Sequence, residues 1–558
     1  MRATKPTEVL VVGAGPTGLA LACLLRRLGV AVRIVDKCPA PSSTSKAIGL
    51  QHRVSEVLAW MGVADRFLAQ GQTTVAVNGY AGGRRVLRLR LDGIEHKSGH
   101  QAFMPRPIIL PQPQTEAILD ERLRELGGHV ERATAFVDFV QGPDEVVSCV
   151  RRPDGAEERI AARYLVSCEG SHSLIREQAG IGFAGKTYPH DFVMADVDLD
   201  WPMSRDQAHV WFHPDGMLAV FGLPGGRTWR LFIEVGATGA PPEVSLELVQ
   251  HLLARRTGDA AVRASNAVWL SRFKIHSRMV DRLRHGRVLL AGDAAHLHSP
   301  SGGQGITTGI QDASNLAWKL AMVLQSGAPA GLLDTYEEER MPIARHVLHT
   351  TDRRTRVQFP RSALGRLARD RVAFPLLSTK PVQARLALAL SQLDLSYRKS
   401  SLACHHDTAG AVARARVRVR AGDRAPDIVF GRAEPRERAS LFDQLQRGGF
   451  VAIINGPGTA TTRTAAALQR LGVHCLQVTP ARRPGNGQLV DCYGDLGRLY
   501  GARGEFCYLI RPDGYVGLFA RPINERTVRA YLAKLWPADT VDTAWRRSAA
   551  TVRQASRR

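Results

Sequence analysis

The sequence predicts an α/β protein with three parts: a nucleotide-binding βαβ unit at its start, an antiparallel sheet in its middle and a second small α/β unit near its end. Three observations carry this. Glu8–Val12 reads as a buried strand, Pro16–Leu28 repeats apolar residues at helical spacing (Leu19, Leu21, Leu24, Leu25, Leu28), and Ala31–Val35 reads as a second strand. Around Asp191–Val235 the apolar period falls to two, with turn signals at Pro214-Asp215-Gly216 and Pro224-Gly225-Gly226. From Phe450 onward strand, helix and strand signals recur (Phe450–Asn455, Thr462–Leu471, Val473–Val478), and Pro512-Asp513-Gly514 marks a hairpin between Cys507–Arg511 and Tyr515–Ala520.

A chain of 558 residues exceeds one ordinary core. The expected division is residues 1–185 with 276–350 for the nucleotide domain, 186–275 for an inserted sheet domain, 351–423 for a basic helical connector, 424–537 for the small α/β domain and 538–558 for a disordered tail. Hydrophobic residues make up 44% and charged residues 23%, so the chain reads as globular. The net charge is +23, from 75 Lys and Arg against 52 Asp and Glu, which favours anionic partners. Many arginines lie between Arg353 and Arg424 and others between Arg546 and Arg558; with no zinc-finger spacing and no RNA-binding signature they read as a solvated basic surface, and no nucleic acid is expected.

The eight cysteines are scattered, the closest pair fifteen residues apart, and no CxxC occurs. That usage fits a reducing cytoplasm. The apolar run Val9–Leu25 follows Arg2 and Lys5 but is broken by Gly13, Gly15, Pro16 and Gly18 and ends in Arg26-Arg27, so it is not read as a signal peptide. No membrane span is expected.

The first motif is Gly13-Ala14-Gly15-Pro16-Thr17-Gly18. Gly13 permits a tight turn, Gly15 lets backbone approach a pyrophosphate, and Gly18 lets helix and strand pack closely. The helix N-terminus supplies free N–H groups for phosphate. Asp36 ends the second strand eighteen residues past Gly18, where a carboxylate accepts bonds from a ribose diol and disfavours a 2′-phosphate. A dinucleotide other than NADP is expected here. Gln114–Leu126 follows as a helix.

The second motif is GRVLLAGDAAHLHSPSGGQGITTGIQDASNLAWK, Gly286–Lys319. A buried strand, Gly286–Ala291, delivers Asp293 where a carboxylate can bind a polyol. The loop with Pro300, Gly302, Gly303 and Gly305 leads through Ile306 into a helix starting near Thr307-Thr308. The N-terminus of that helix suits the negative charge a reduced flavin develops on its pyrimidine side.

With these two motifs the chain resembles the class A flavoprotein monooxygenases, the para-hydroxybenzoate, phenol and hydroxyphenylpropionate hydroxylase-like family. The resemblance implies a Rossmann-like FAD-binding domain, with the first motif on the ADP half of FAD and the GD motif on its ribityl–pyrophosphate part. A third family motif reads here Cys168-Glu169-Gly170-Ser171-His172-Ser173-Leu174-Ile175-Arg176, after the strand Tyr164–Val166. In the family it serves FAD and the nicotinamide cofactor; Glu169 stands where Asp is usual, and Arg176 matches. Gln112 matches a glutamine that faces the flavin. Lys46 stands where Arg is common and Thr307 where Asn often stands. Ser391–Ser401, Ala421–Pro426 and Leu509–Ala520 resemble the linker and hairpin of a C-terminal thioredoxin-like domain, here lacking CxxC after Phe450–Asn455.

The implied activity is hydroxylation of a phenolic or polycyclic aromatic substrate through a flavin C4a-hydroperoxide, with O2 and NADPH or NADH as co-substrates. The flavin is the catalyst and no side chain is singled out as catalytic; the loop holding Pro300 and Gly303 shelters the reacting oxygen. Trp211, Phe221, Trp229 and Phe232 are candidate pocket walls, each with ordinary sheet core as the competing reading. The His296-Leu297-His298 pair lacks a third ligand of suitable spacing, so no metal is expected. Cys404-His405-His406-Asp407 reads as a solvated turn in the connector. A Baeyer–Villiger oxygenase on the same scaffold and a non-catalytic flavin-binding protein are the alternatives. In similar enzymes the extra C-terminal domain often packs at a dimer interface, so the resemblance leaves a homodimer open.

Overall fold

The computed structural model describes residues 7–45, 47–91, 106–236, 243–300, 302–358, 362–431, 438–479 and 489–555. Among them the chain forms a mixed α/β fold on three eight-stranded sheets and one three-stranded sheet.

In the first sheet Thr7–Val12 runs parallel between Val32–Val35 and Glu157–Ser167, and Val288–Leu290 lies parallel beyond the latter. Register places Val12 beside Val35 and Ser167, and Ser167 beside Leu290. The chain therefore leaves the sheet at one edge four times, into Gly13, Asp36, Cys168 and Ala291. Loops at the carboxyl ends of parallel strands gather around one crevice, and this brings together motifs 155 and 123 residues apart in sequence (Gly13 to Cys168, Cys168 to Ala291). Helices Pro16–Arg27 and Gly305–Gln325 pack together over this sheet, Thr17 lying against both Gly292 and Gly309.

The middle sheet reaches beyond residues 186–275. Its order is His296–Leu297, Arg263–Val280, Phe183–Asp200, Thr228–Gly236, Gly216–Gly222, Gln207–His213, Ala76–Ala81 and Arg84–Arg90. The expected boundaries are corrected accordingly. The hairpin of Ala76–Ala81 and Arg84–Arg90 joins by parallel pairing with Gln207–His213, and His296–Leu297 joins beside Arg278 and Met279. Such pairing covers a sheet edge that would otherwise present unpaired backbone, and it has no local sequence signal.

In the third sheet Val451–Asn455 runs parallel to His474–Thr479 and antiparallel to Phe506–Ile510, which turns into Val516–Arg521. Cys404–Asp407 adds parallel to Val516–Arg521, and Arg521 donates to both oxygens of Asp407 at 3.0 and 2.7 Å. The segment 351–423 is thus not helical throughout, and Cys404-His405-His406-Asp407 is a strand rather than a solvated turn. The disordered tail is also corrected: Ala538–Ala555 is a helix. Val541, Ala544 and Trp545, spaced i, i+3 and i+4, are buried, and Trp545 Nε1 donates to Glu525 Oε2 at 2.9 Å.

The turn at Pro512-Asp513-Gly514 docks on the nucleotide domain. Arg511 donates to Glu339 at 2.6 and 2.9 Å, Lys319 and Asn315 donate to Glu339 at 2.8 and 2.7 Å, and Arg53 donates to the Asp513 carbonyl at 2.6 Å. No helix among the described residues is long and apolar enough to cross a membrane.

Candidate active site

The crevice is built from the glycine loop outward. Gly13 has φ +102°, and a Cβ there would overlap the Cys168 carbonyl; a Cβ at Gly18 would overlap the Gly13 carbonyl. At Gly15 no atom lies within 4 Å of where a Cβ would stand. The loop is thus closed against protein at its two ends and open at its middle, where helix Pro16–Arg27 begins without a side-chain cap. Uncapped first-turn N–H groups beside such an opening suit an anion. Asp36 flanks it: its carboxylate accepts from Ala14 N at 2.6 Å and Cys38 N at 2.8 Å, so the acid is braced by the loop it borders.

Glu169 has a local job. Its carboxylate accepts from Ser167 Oγ (2.9 Å), Ser173 Oγ (2.7 Å), Leu174 N (3.3 Å) and Ile175 N (3.2 Å), capping helix Leu174–Gln178. The longer side chain reaches these donors from its strand end. Arg176 is buried, donates to the Ser171 carbonyl at 3.0 Å and the Ala294 carbonyl at 3.3 Å, and lies over the Phe183 ring; it ties the third motif to the second.

Asp293 is exposed between buried Gly292 and Ala294. Beneath it Asp312 accepts from Gly292 N (3.1 Å), His296 Nε2 (2.7 Å) and Arg340 Nε (2.6 Å), and Arg340 donates onward to Tyr397 Oη (3.0 Å). The Arg340 and His296 charges outweigh burial and hold the Asp312 carboxyl down at about 2. His298 donates from Nδ1 to the Ser299 carbonyl at 3.0 Å, and burial lowers it to about 4, which keeps the ring neutral. The two histidines of the pair therefore have separate structural partners.

Pro300 is exposed, and Gly303 N donates to its carbonyl at 2.9 Å. Gly305 opens the helix Gly305–Gln325, again without a side-chain cap, followed by Ile306 and the buried Thr307. Thr307 Oγ1 accepts from Gln51 N at 3.0 Å, and Gln51 Nε2 donates to the Gly302 carbonyl at 3.0 Å. Gln51 is a site residue that sequence reasoning missed; it bridges the loop to strand Gly49–Leu50. Gln112 donates to Glu116 Oε1 at 2.7 Å, and burial raises the Glu116 carboxyl. Lys46 lies outside the described residues.

The four aromatic candidates divide between the two faces of the middle sheet. Trp211 and Trp229 pack with Val249 and Leu253 beneath helix Leu246–Thr257, so their assignment as pocket walls is corrected: they are core. Phe221 and Phe232 lie on the opposite face, with Phe212, Met217 and Phe374. Phe232 stacks on Phe192 at 4.9 Å and meets Phe273 at 5.4 Å between centroids. Alternation along each strand separates the two sets.

An open glycine cradle, two uncapped helix starts and exposed or rim carboxylates at Asp36 and Asp293 suit a bound dinucleotide that carries a polyol and a ring that takes on negative charge. This fold and site define a flavoprotein. Residues 6–351 match the FAD binding domain family. A flavin-dependent monooxygenase of Mycobacteroides abscessus is 35% identical over 535 residues, covering 94% of this chain and 99% of that protein. The 6-methylpretetramide 4-monooxygenase of Streptomyces rimosus is 36% identical over 401 residues, 71% of each chain. The solved structure of the anhydrotetracycline hydroxylase OxyS from Streptomyces rimosus superposes with a TM-score of 0.75 at 28% identity, covering 95% of this chain and 99% of that one. The chain belongs to this FAD-binding family of flavin-dependent monooxygenases, and FAD is its cofactor.

Proposed function

We propose that the chain hydroxylates a polycyclic phenol, using NADPH as reductant and O2 as oxidant: substrate, O2, NADPH and a proton give hydroxylated substrate, water and NADP+. The observation that carries this reading is the phenylalanine face of the middle sheet, Phe192, Phe221, Phe232 and Phe273, covered from the connector by Phe374. It offers a flat ring system a broad apolar wall and excludes water. The names of the Streptomyces relatives, which specify fused-ring substrates, support the same class.

Bound FAD supplies the redox chemistry, accepting electrons from the nicotinamide cofactor and passing one oxygen atom to the ring. The chain's own residues bind and orient. The loop Gly13–Gly18 holds the pyrophosphate, Asp36 the adenosine ribose and Asp293 the ribityl chain. The uncapped start of helix Gly305–Gln325 would supply positive potential to a bound ring that takes on negative charge. Gln51 and Thr307 fix that loop, and Arg176 fixes the third motif against it. Residues 424–537 read as a thioredoxin-like domain, which the parallel pair Val451–Asn455/His474–Thr479 and the hairpin Phe506–Ile510/Val516–Arg521 support.

The test is the absorbance of the purified protein under anaerobic NADPH, with and without an anthracyclinone or tetracycline-like phenol, followed by mass analysis after air is admitted. Faster bleaching with the phenol and a product heavier by one oxygen support the reading. Oxygen inserted into a ring ketone would replace it with the Baeyer–Villiger outcome, and flavin that never bleaches would end the monooxygenase reading for this substrate class.

A further inference from the structure

The connector helices carry a surface that the flavin site does not use. Along the helical run Ala363–Leu377, Leu364 is 75% exposed, Leu367 53%, Val372 65% and Leu376 59%. Leu388 is 41% exposed on the next helix, Lys380–Ser391. Single exposed aliphatics need no explanation, but these five lie on successive helices that pack on one another, and that concentration calls for one. The same helices are basic. Residues 363–377 and 380–391 carry Arg366, Arg369, Arg371, Lys380 and Arg385 against one acid, Asp370, whose carboxylate accepts from the buried Arg369 Nε at 2.7 Å. Arg371, Lys380 and Arg385 are exposed on the helices that carry the leucines. The hairpin strand Arg84–Arg90 packs against this layer, with Gln383 Nε2 donating to the Arg88 carbonyl at 2.8 Å, and adds exposed Arg84, Arg85 and Arg88.

We infer that this face docks on an anionic lipid surface. Helices that lie in the plane of a membrane interface combine exposed leucines with flanking Lys and Arg, and bind through buried apolar area plus attraction to acidic headgroups. The charge selects among occupants. A second copy of the chain would set this cationic patch against itself, and like charges across an interface repel. Single-stranded nucleic acid calls for aromatic stacking platforms, and the exposed apolar residues here are aliphatic. A merely solvated basic face does not need the leucines.

Docking in this pose has a consequence for the site. The inner side of the same helices covers the phenylalanine face: Phe374 lies 4.8 Å from Phe212, and Arg369 sits over the Phe212 ring. The end of helix Lys380–Ser391 touches the flavin loop, where Gln304 Nε2 donates to the Ala389 carbonyl at 3.3 Å. The cover of the substrate face would then rest on the bilayer surface, where a fused-ring apolar substrate partitions. That last step rests on the proposed substrate class; the docking itself does not.

The test is co-sedimentation of the flavin-loaded, full-length protein with phosphatidylcholine vesicles made with and without phosphatidylglycerol. The protein should pellet with the anionic vesicles, bind plain phosphatidylcholine about ten-fold more weakly, and be released by high salt. Leu364→Glu/Leu367→Glu/Leu376→Glu and, separately, Arg371→Glu/Lys380→Glu/Arg385→Glu should each weaken binding about ten-fold or more. Flavin content and turnover of a soluble substrate should stay at the unmodified level, since all six side chains lie on the outer surface. Wild-type protein that stays in the supernatant overturns the inference. So does leucine-variant binding equal to wild type, or equally tight binding to soluble polyglutamate, which would make the face a polyanion or acidic-protein site. A dimer that the leucine substitutions dissociate, without vesicle binding, would assign the patch to a second copy.

Discussion

Gly15 and Gly18 lie three residues apart in one loop and answer to different constraints. Gly18 is fixed by protein, since a Cβ would strike the Gly13 carbonyl, whereas Gly15 faces open space. Gly18→Ala should therefore destabilise the fold itself, by about 1–3 kcal/mol of overpacking. Gly15→Asp should leave folding intact and place a carboxylate in the phosphate cradle, giving soluble, colourless protein. Circular dichroism with flavin absorbance separates the two; yellow Gly15→Asp protein would refute the cradle. His298 gives a pH signature. Its folded value of about 4 lies below the ordinary 6.5, so between those values the unfolded chain binds the proton that the folded chain refuses. Its contribution is unfavourable to folding as pH falls from 6.5 to 4, so thermal midpoints should decline across that window more steeply in wild type than in His298→Gln; parallel slopes would count against it. The positions of the glycines, Asp36 and Asp293 at the carboxyl ends of parallel strands were legible because they follow from spacing after a strand. Gln51 was not: its contact with Thr307 depends on where the short strand Gly49–Leu50 pairs with Ile108–Ile109.

Period-two patterning found the strands of the middle sheet but not the sense of their faces. Both faces are apolar, one under helix Leu246–Thr257 and one under Phe374 and Leu377, so alternation of polarity could not say which aromatic lies on which face. Strand parity does separate Trp229 from Phe232, and a single contact on either face would have assigned both sets. The tail escaped for a different reason. Ala538–Ala555 is polar overall, and over its described side chains, 538–547, the buried apolar residues are Val541, Ala544 and Trp545, too few to stand out in composition. The helix packs on Thr459–Arg470, beside Val528 and Leu532. Trp545→Ala should cost about 3 kcal/mol, as a buried large-to-small change does. It should appear as early proteolysis at the C-terminus with the flavin retained. Unchanged resistance would mean the tail packs too weakly to matter.

Across the whole molecule, the third sheet is joined to the flavin domain by charge as well as by apolar contact. Arg511, Glu339, Lys319 and Asp513 are all buried, and the neighbouring Arg511 and Lys319 charges hold the Glu339 carboxyl well below the usual carboxylate range. Removing ions from water is costly, and a buried set like this earns little net stability over an apolar packing of the same shape. Its effect is directional. Glu339 is carried by helix Asp334–Gln358 of the flavin domain and Arg511 by the hairpin turn, so the bonds form at one docking position only. Deleting one partner and deleting both should then differ. Glu339→Gln leaves two buried cations under-compensated and should cost about 3–5 kcal/mol, seen as faster hydrogen exchange at residues 511–516. Glu339→Leu with Arg511→Leu removes both and should cost less than either single change. If the double variant recovers stability but its hairpin still exchanges quickly, the cluster sets the position of the C-terminal sheet over helix Gly305–Gln325. If it loses as much as the sum of the singles, the charges contribute stability directly and the positional account fails.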